Sequence, residues 1–204
     1  MAKNKLARFR ENLTFPYLHQ PTFDSVWRAP YPLQGQWAAQ QFSNQNPITL
    51  ELGCGRGEYT VALAQAAPEQ NYIGMDIKGA RLWVGARAVK EQGLTNVAFV
   101  RARIETLTSF FAPNEIAQLW LSFPDPQLKE RRAKKRLTGE RFLELYSRIL
   151  APSGVIHLKT DSRELYDFTL NEVATIGGRV LYAADNIDNI LEQFPLLRIS
   201  TYYE

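Results

Sequence analysis

Two stretches of this sequence combine residue types that can do chemistry. The first, FPDPQLKERRAKKR, runs from Phe123 to Arg136. It holds one acid, Asp125, between two prolines, and then six basic residues in the eight positions from Lys129. Proline fixes its own φ near about −65° and biases its predecessor toward extended geometry, so the acid leaves the apolar run LWLSF on a stiff loop. A carboxylate beside a dense cationic run suits a polyanionic substrate. The cations would hold phosphates, adding salt-dependent affinity without base specificity, while the acid meets the reacting group. The second stretch, ELGCGRGE, sets Glu51 ahead of Gly53, Gly55 and Gly57, and Asp76 follows twenty-five residues beyond Glu51. Glycines there let the backbone approach a ligand and turn tightly into a helix. An acid ending the next strand can accept both hydroxyls of a ribose.

The glycine spacing separates two nucleotide-like ligands. A dinucleotide fingerprint reads G-x-G-x-x-G and seats a pyrophosphate on a helix N-terminus. Here the spacing is G-x-G-x-G, Glu58 stands where a pyrophosphate would tolerate no carboxylate, and Glu51 suits a cationic, amino-bearing ligand. An acid before G-x-G-x-G, with a second acid ending the next strand, resembles the class I S-adenosylmethionine-dependent methyltransferases. The plain alternative is a tight strand–helix turn and nothing more. Cys54 in the loop reads as a small filler, since no histidine lies near it in sequence. Asp161, with Glu164 three positions on, has the pattern of a helix capping box. His19 and His157 read as structural, and Trp83, Trp120 and Phe123 as core.

The elements that must position these residues follow an α/β rhythm. ITLEL (48–52), NYIGMDI (71–77), VAFV (97–100), AQLWLSF (117–123) and VIHLKT (155–160) are short apolar runs. Between and after them come helical spacings over 57–67, 80–93, 104–111 and 139–150, the last with Thr138 as N-cap, and then ELYDFTLNEVATIGG. RVLYAA and LRISTYY read as two final strands. The expected fold is α/β, a doubly wound, mostly parallel sheet with helices on both faces. Ligands in such sheets bind at the carboxyl ends of the strands, where both chemical stretches fall. Residues 1–15 read as a flexible basic arm or a short helix, and 16–47, rich in proline and aromatics, as an irregular lead-in packed on a single domain spanning 1–204.

Composition narrows the function further. The chain is 204 residues long and 45% hydrophobic, enough for one substantial core. Its formal charge is +3, yet Lys129 to Arg136 alone carries +5, so the remainder is net acidic and the positive charge marks a local anion site. A single cysteine excludes an internal disulfide framework and a multi-cysteine zinc site, and no metal is expected. No secretory h-region and no membrane span is visible, so the protein reads as cytoplasmic. Monomer and homodimer both stay open.

The stretch FPDPQLKERRAKKRL, with HLKTD (157–161) and TYYE (201–204), is similar to the bacterial tRNA (guanine-N7-)-methyltransferases over about residues 48 to 204. The resemblance implies methylation of guanine N7, at position 46 in the tRNA variable loop, with S-adenosyl-L-methionine as cofactor and tRNA as partner. Residue by residue, it implies that Glu51, Gly53, Gly55, Asp76, Arg103 and Asp125 line the cofactor pocket, with Asp125 also the active-site acid. Lys129, Asp161, Thr201, Tyr202, Tyr203 and Glu204 would contact the substrate nucleotide. The sequence departs from the family at Gln127, where a tryptophan is usual, at Arg132, where a histidine is expected, and at Arg103, where an acid or asparagine is common. An arginine side chain cannot accept the adenine amino hydrogen bond, so backbone groups would serve there. The family also continues through one more strand beyond Glu204. These departures motivate an alternative, a non-catalytic RNA-binding domain on a methyltransferase fold. A small-molecule methyltransferase is a third reading, disfavoured by the basic run.

Overall fold

A computed structural model of the protein describes residues 2–199; Thr201, Tyr202, Tyr203 and Glu204, expected at the substrate, lie outside the described residues. The five apolar runs form β2 (Ile48–Leu52), β3 (Asn71–Asp76), β4 (Val97–Arg101), β5 (Ile116–Ser122) and β6 (Leu150–Lys159). With a short β1 (Leu18–His19) they make one sheet in the order β1-β4-β3-β2-β5-β6, and every pair is parallel. Strands covered on both faces need apolar residues at successive positions, which is why these runs are short and nearly continuous.

Alternation along the strands divides the interior in two. Leu50, Leu52, Ile73, Met75, Val100, Leu119 and Leu121 point to one side, where Trp37, Phe110 and the Phe142–Tyr146 pair of α6 (Glu140–Ser147) cover them. Phe99, Tyr72 and Trp120 point to the other, under α3 (Glu58–Ala66) and α4 (Gly79–Gln92). Helices on both faces of a wholly parallel sheet match the expected architecture.

Several expectations change or sharpen. Of the two readings of residues 1–15, the helix and not the flexible arm is formed: α1 (Ala2–Asn12) lies on α4. Asn12 is fully buried and its side chain donates to the Gly79 carbonyl at 2.9 Å, while the Trp83 indole donates to Glu11 at 2.7 Å. Trp83 is thus half-buried, packed against the rim of the core under the Arg8 guanidinium, 4.4 Å from its ring. The lead-in contains β1, which pairs with β4 and carries the chain from one face of the sheet to the other. Gly139 and not Thr138 occupies the N-cap of α6; the Thr138 hydroxyl is taken by Thr169 at 2.8 Å. RVLYAA forms no strand: among the described residues β6 has no neighbour on its outer edge, and a lone strand would leave its backbone groups unpaired. The first residues of LRISTYY likewise form a 3₁₀ turn, Pro195–Arg198.

Two glycines of the loop after β2 serve different ends. Gly57, at the N-cap of α3 with φ 73°, would place a Cβ 2.6 Å from the Phe99 ring. Gly53, with φ 71°, would place one in open space, with no atom within 4 Å. Gly57→Ala should therefore cost about 3 kcal/mol or more, from left-handed backbone plus overpacking, and Gly53→Ala only about 1 kcal/mol. Urea unfolding midpoints of the two variants check this; equal losses would contradict the packing role of Gly57.

Candidate active site

Parallel register brings the chemical residues to one edge. Leu52 pairs with Met75, Glu51 with Trp120, and Ser122 with Lys159, so the residues just past each strand are neighbours. Those residues are Gly53 to Gly57, Asp76, Ala102 and Arg103, Phe123 to Pro126, and Thr160 to Asp161. The Gly53 amide donates to the Met75 carbonyl at 2.8 Å, which lashes the loop to β3. Asp76 is fixed by two amides: Gly55 donates to Oδ2 at 3.1 Å and Lys78 to Oδ1 at 2.7 Å. Its carboxylate is aimed before any ligand arrives.

Glu51 is 3% exposed, and the Thr60 hydroxyl donates to its carboxylate. Burial pushes its carboxyl up to about 7, helped by the nearby negative charge of Asp76 and opposed by the Thr60 hydrogen bonds. A buried acid at the mouth of a glycine loop favours a cationic neighbour over an anionic one. That agrees with an amino-bearing ligand and disagrees with a pyrophosphate.

Asp125 sits on a loop held at several points. The Phe123 amide donates to the Lys159 carbonyl at 2.8 Å, and Phe123 and Gln127 both adopt left-handed backbone, with φ 50° and 48°. Asp125 itself is exposed, and its Oδ1 accepts the Gln127 amide at 3.0 Å, leaving Oδ2 toward solvent. The strongest tether is Arg136. It is 6% exposed; its Nε donates to the Pro126 carbonyl at 2.9 Å, its Nη2 pairs with Glu164, and its guanidinium lies 4.5 Å from the Phe168 ring. The six cations therefore divide. Lys129, Arg131, Arg132, Lys134 and Lys135, on and beside a 3₁₀ turn over Glu130–Lys135, are exposed, while Arg136 is internal mortar.

Asp161 is exposed and does not cap α7 (Arg163–Thr175); Ser162 does, accepting the Leu165 amide at 3.2 Å. Asp161 is thus released from the structural role its spacing suggested. Lys129 is exposed at the start of the basic turn. The Arg103 carbonyl is used by Thr106, and its guanidinium lies 5.1 Å from the Phe23 ring. Lys159, read only as part of a strand, is 9% exposed and donates to the Leu197 and Ile199 carbonyls at 3.0 and 2.9 Å. A lysine inside an apolar strand was its one sequence signal; Arg136 had none beyond closing the run.

The remaining titratable groups do not compete for the role. Burial pushes the Cys54 thiol well up. His157 stacks on Trp120 at 4.3 Å and burial pushes it down to about 4. His19 is held between Tyr31 and Gln41. Among the described residues no cluster of metal-ligating side chains occurs. A cavity of about 330 Å³ lined by Gly35, Asn46, Pro47 and Glu115 opens at the opposite, N-terminal edge of the strands, away from every residue above.

Two predictions test this geometry. The folded protein holds a proton on Glu51 that the unfolded chain, with an ordinary carboxyl near 4.5, has released. Stability therefore falls as pH rises from about 4.5 to about 7, by about 3 kcal/mol in all. Glu51→Gln should remove that decline, so its advantage in Tm over the parent grows from pH 5 to pH 8; parallel profiles would reject the buried charge. Arg136→Met should cost about 2–3 kcal/mol by orphaning the Pro126 carbonyl, with Arg136→Lys no rescue because an ammonium cannot span both partners. Unfolding curves that match the parent would remove the tether.

Residues 45–204 match a protein-family model described as "Putative methyltransferase". A tRNA (guanine-N(7)-)-methyltransferase of Christiangramia forsetii is 46% identical over 100% of this chain and 91% of its own length. That of Porphyromonas gingivalis is 48% identical over 94% of this chain and 79% of its own. Among solved structures, a 16S rRNA (adenine(1408)-N(1))-methyltransferase from Catenulisporales acidiphilia, with cosubstrate SAM, shares the fold. Its TM-score is 0.55 at 16% identity, over 84% of this chain and 87% of its own. With the glycine loop, the two fixed acids and the FPDP loop on one sheet edge, the chain belongs to the bacterial tRNA (guanine-N(7)-)-methyltransferase family.

Proposed function

We propose that this chain transfers a methyl group from S-adenosyl-L-methionine to N7 of guanine 46 in the variable loop of tRNA, in the cytoplasm. The residues fit that cofactor. The open space over Gly53 admits a ligand to the backbone, Asp76 is preset to accept two ribose hydroxyls, and buried Glu51 favours a cationic amino group. Gly55 shapes the loop under Asp76, and Arg103 flanks the adenine end. When bound, the cofactor supplies an electrophilic methyl carried on a sulfonium.

Guanine N7 carries a lone pair and no proton, so the nucleophile needs no general base. The protein's task is alignment and charge. Asp125, with Oδ2 uncommitted, would accept from the guanine N1 and N2 donors and favour the cationic product. It is a positioning and electrostatic residue. Asp161, Lys129 and the stretch Thr201 to Glu204 would complete the nucleotide's contacts, and the five exposed cations from Lys129 to Lys135 would hold the RNA backbone. The observation that carries this reading is Asp125 on a loop stiffened by two prolines and tied down by Arg136, between the glycine loop and the cations. Nothing in the site favours a non-catalytic domain: Gln127 contributes its backbone to the loop, and the loop keeps its shape without a tryptophan.

The test is incubation with unmodified tRNA transcript and labelled cofactor, followed by chain cleavage at 7-methylguanosine. Cleavage is expected at the single variable-loop guanine. Asp125→Asn should lower kcat by about 10²–10³-fold. Label in a small metabolite but not in tRNA, or near-parental turnover by the variant, would refute the proposal.

A further inference from the structure

Residues 1–44 precede the part of the chain that the family model matches, and they carry an exposed feature that the catalytic reading does not use. Phe23 and Trp27, one helical turn apart on α2 (Phe23–Val26) and its C-cap, stack with centroids 5.0 Å apart at 29°. They are 42% and 46% exposed, unusual for rings of this size. The Arg103 guanidinium lies 5.1 Å from the Phe23 ring and that of Arg28 5.4 Å from Trp27. Arg28 reaches its ring from a left-handed backbone, φ 61°, a conformation that non-glycine residues rarely adopt.

The support beneath is rigid. Thr22 caps the turn by accepting the Ser25 amide, Val26 is 2% exposed, and its carbonyl accepts the Ser109 hydroxyl at 2.7 Å. Because β1 runs parallel to β4, residues 20–28 follow its carboxyl end and stand beside Arg101 to Arg103. The aromatic pair therefore flanks the same edge as Asp76 and Asp125. Arg28 and Arg103 supply its cations, and Asp24 on α2 and Glu105 beyond Arg103 are acids close in sequence.

We infer that Phe23, Trp27, Arg28 and Arg103 form a stacking platform for an unpaired base of the RNA substrate. Exposed rings and guanidinium planes together offer a base π-contact and its phosphate a charge, which is how single-stranded nucleic acid is held without sequence preference. The inference rests on the tRNA reading above and extends it to a second contact region outside the catalytic loop.

The experiment compares the parent chain with Phe23→Ala, Trp27→Ala and Trp27→Tyr. It measures affinity for an unmodified tRNA transcript at 50 and 200 mM salt, cofactor affinity by calorimetry, and Tm. Each alanine variant should bind tRNA about 5- to 100-fold more weakly at both salts, with the salt slope unchanged, because stacking releases no counterions. Cofactor affinity should hold in the Trp27 variants, whose ring meets Arg28 and not Arg103, and Trp27→Tyr should recover most of the tRNA affinity. Undiminished tRNA binding by the alanine variants overturns the platform. So does weakened cofactor binding with intact tRNA binding, which would move the rings into the cofactor pocket. A loss not recovered by Trp27→Tyr and accompanied by a lower Tm also overturns it. If the parent chain itself neither binds nor methylates tRNA, the underlying reading fails instead, and the two failures are thereby distinguished.

Discussion

Parallel pairing of β2 with both β3 and β5 is the constraint from which the rest of the molecule follows. A parallel strand can be reached only by a crossover, so each strand is followed by a loop at the same edge and a helix that returns the chain. The loops therefore accumulate at one end. Glu51, Asp76, Asp125 and Asp161 are spread over 111 positions of sequence, and this pairing, extended by that of β5 with β6, brings them to one edge.

Charge is handled the same way. Among the described residues, the buried charged side chains are Glu51, Arg136 and Lys159, and all three lie near the carboxyl ends of the strands. Removing a charge from water costs several kcal/mol unless it is neutralised or hydrogen-bonded. Arg136 and Lys159 meet that cost with backbone carbonyls, so they act as staples between distant segments. Below about pH 7 Glu51 meets it by keeping a proton, where the other two are hydrogen-bonded as cations. The Arg136–Glu164 ion pair adds less than the carbonyl contacts, since Glu164 is half exposed and screened.

The fold was legible in the sequence because two-sided burial writes each strand as a short apolar run, and the glycine loop and FPDP motif mark where two of them end. What escaped had no local signature. β1 is two residues long and exists because β4 offers it an edge, not because its own residues favour extension. Docking of α1 depends on Asn12 and Glu11 meeting α4, sixty-seven and seventy-two positions away. Asp161 and Ser162 are adjacent and chemically similar as caps, so which one caps is decided by backbone direction that sequence does not display. The split of the basic run is similar: Arg136 differs from the exposed Arg131 and Arg132 only in what lies opposite it.

The left-handed residues at either end of the Asp125 loop bear on how this family can vary. Phe123 and Gln127 each carry a backbone cost of about 1–2 kcal/mol, and of the two only the Phe123 ring has a close cationic contact, the Lys159 ammonium at 5.1 Å. The cost is met by bonds to the main chain, from Lys159 at one end and Asp125 and Arg136 at the other. Shape at position 127 is thus stored in the backbone and its distant anchors, and the side chain is left selectively idle. An amide side chain stands there without redrawing the loop, because the loop's shape does not pass through that side chain.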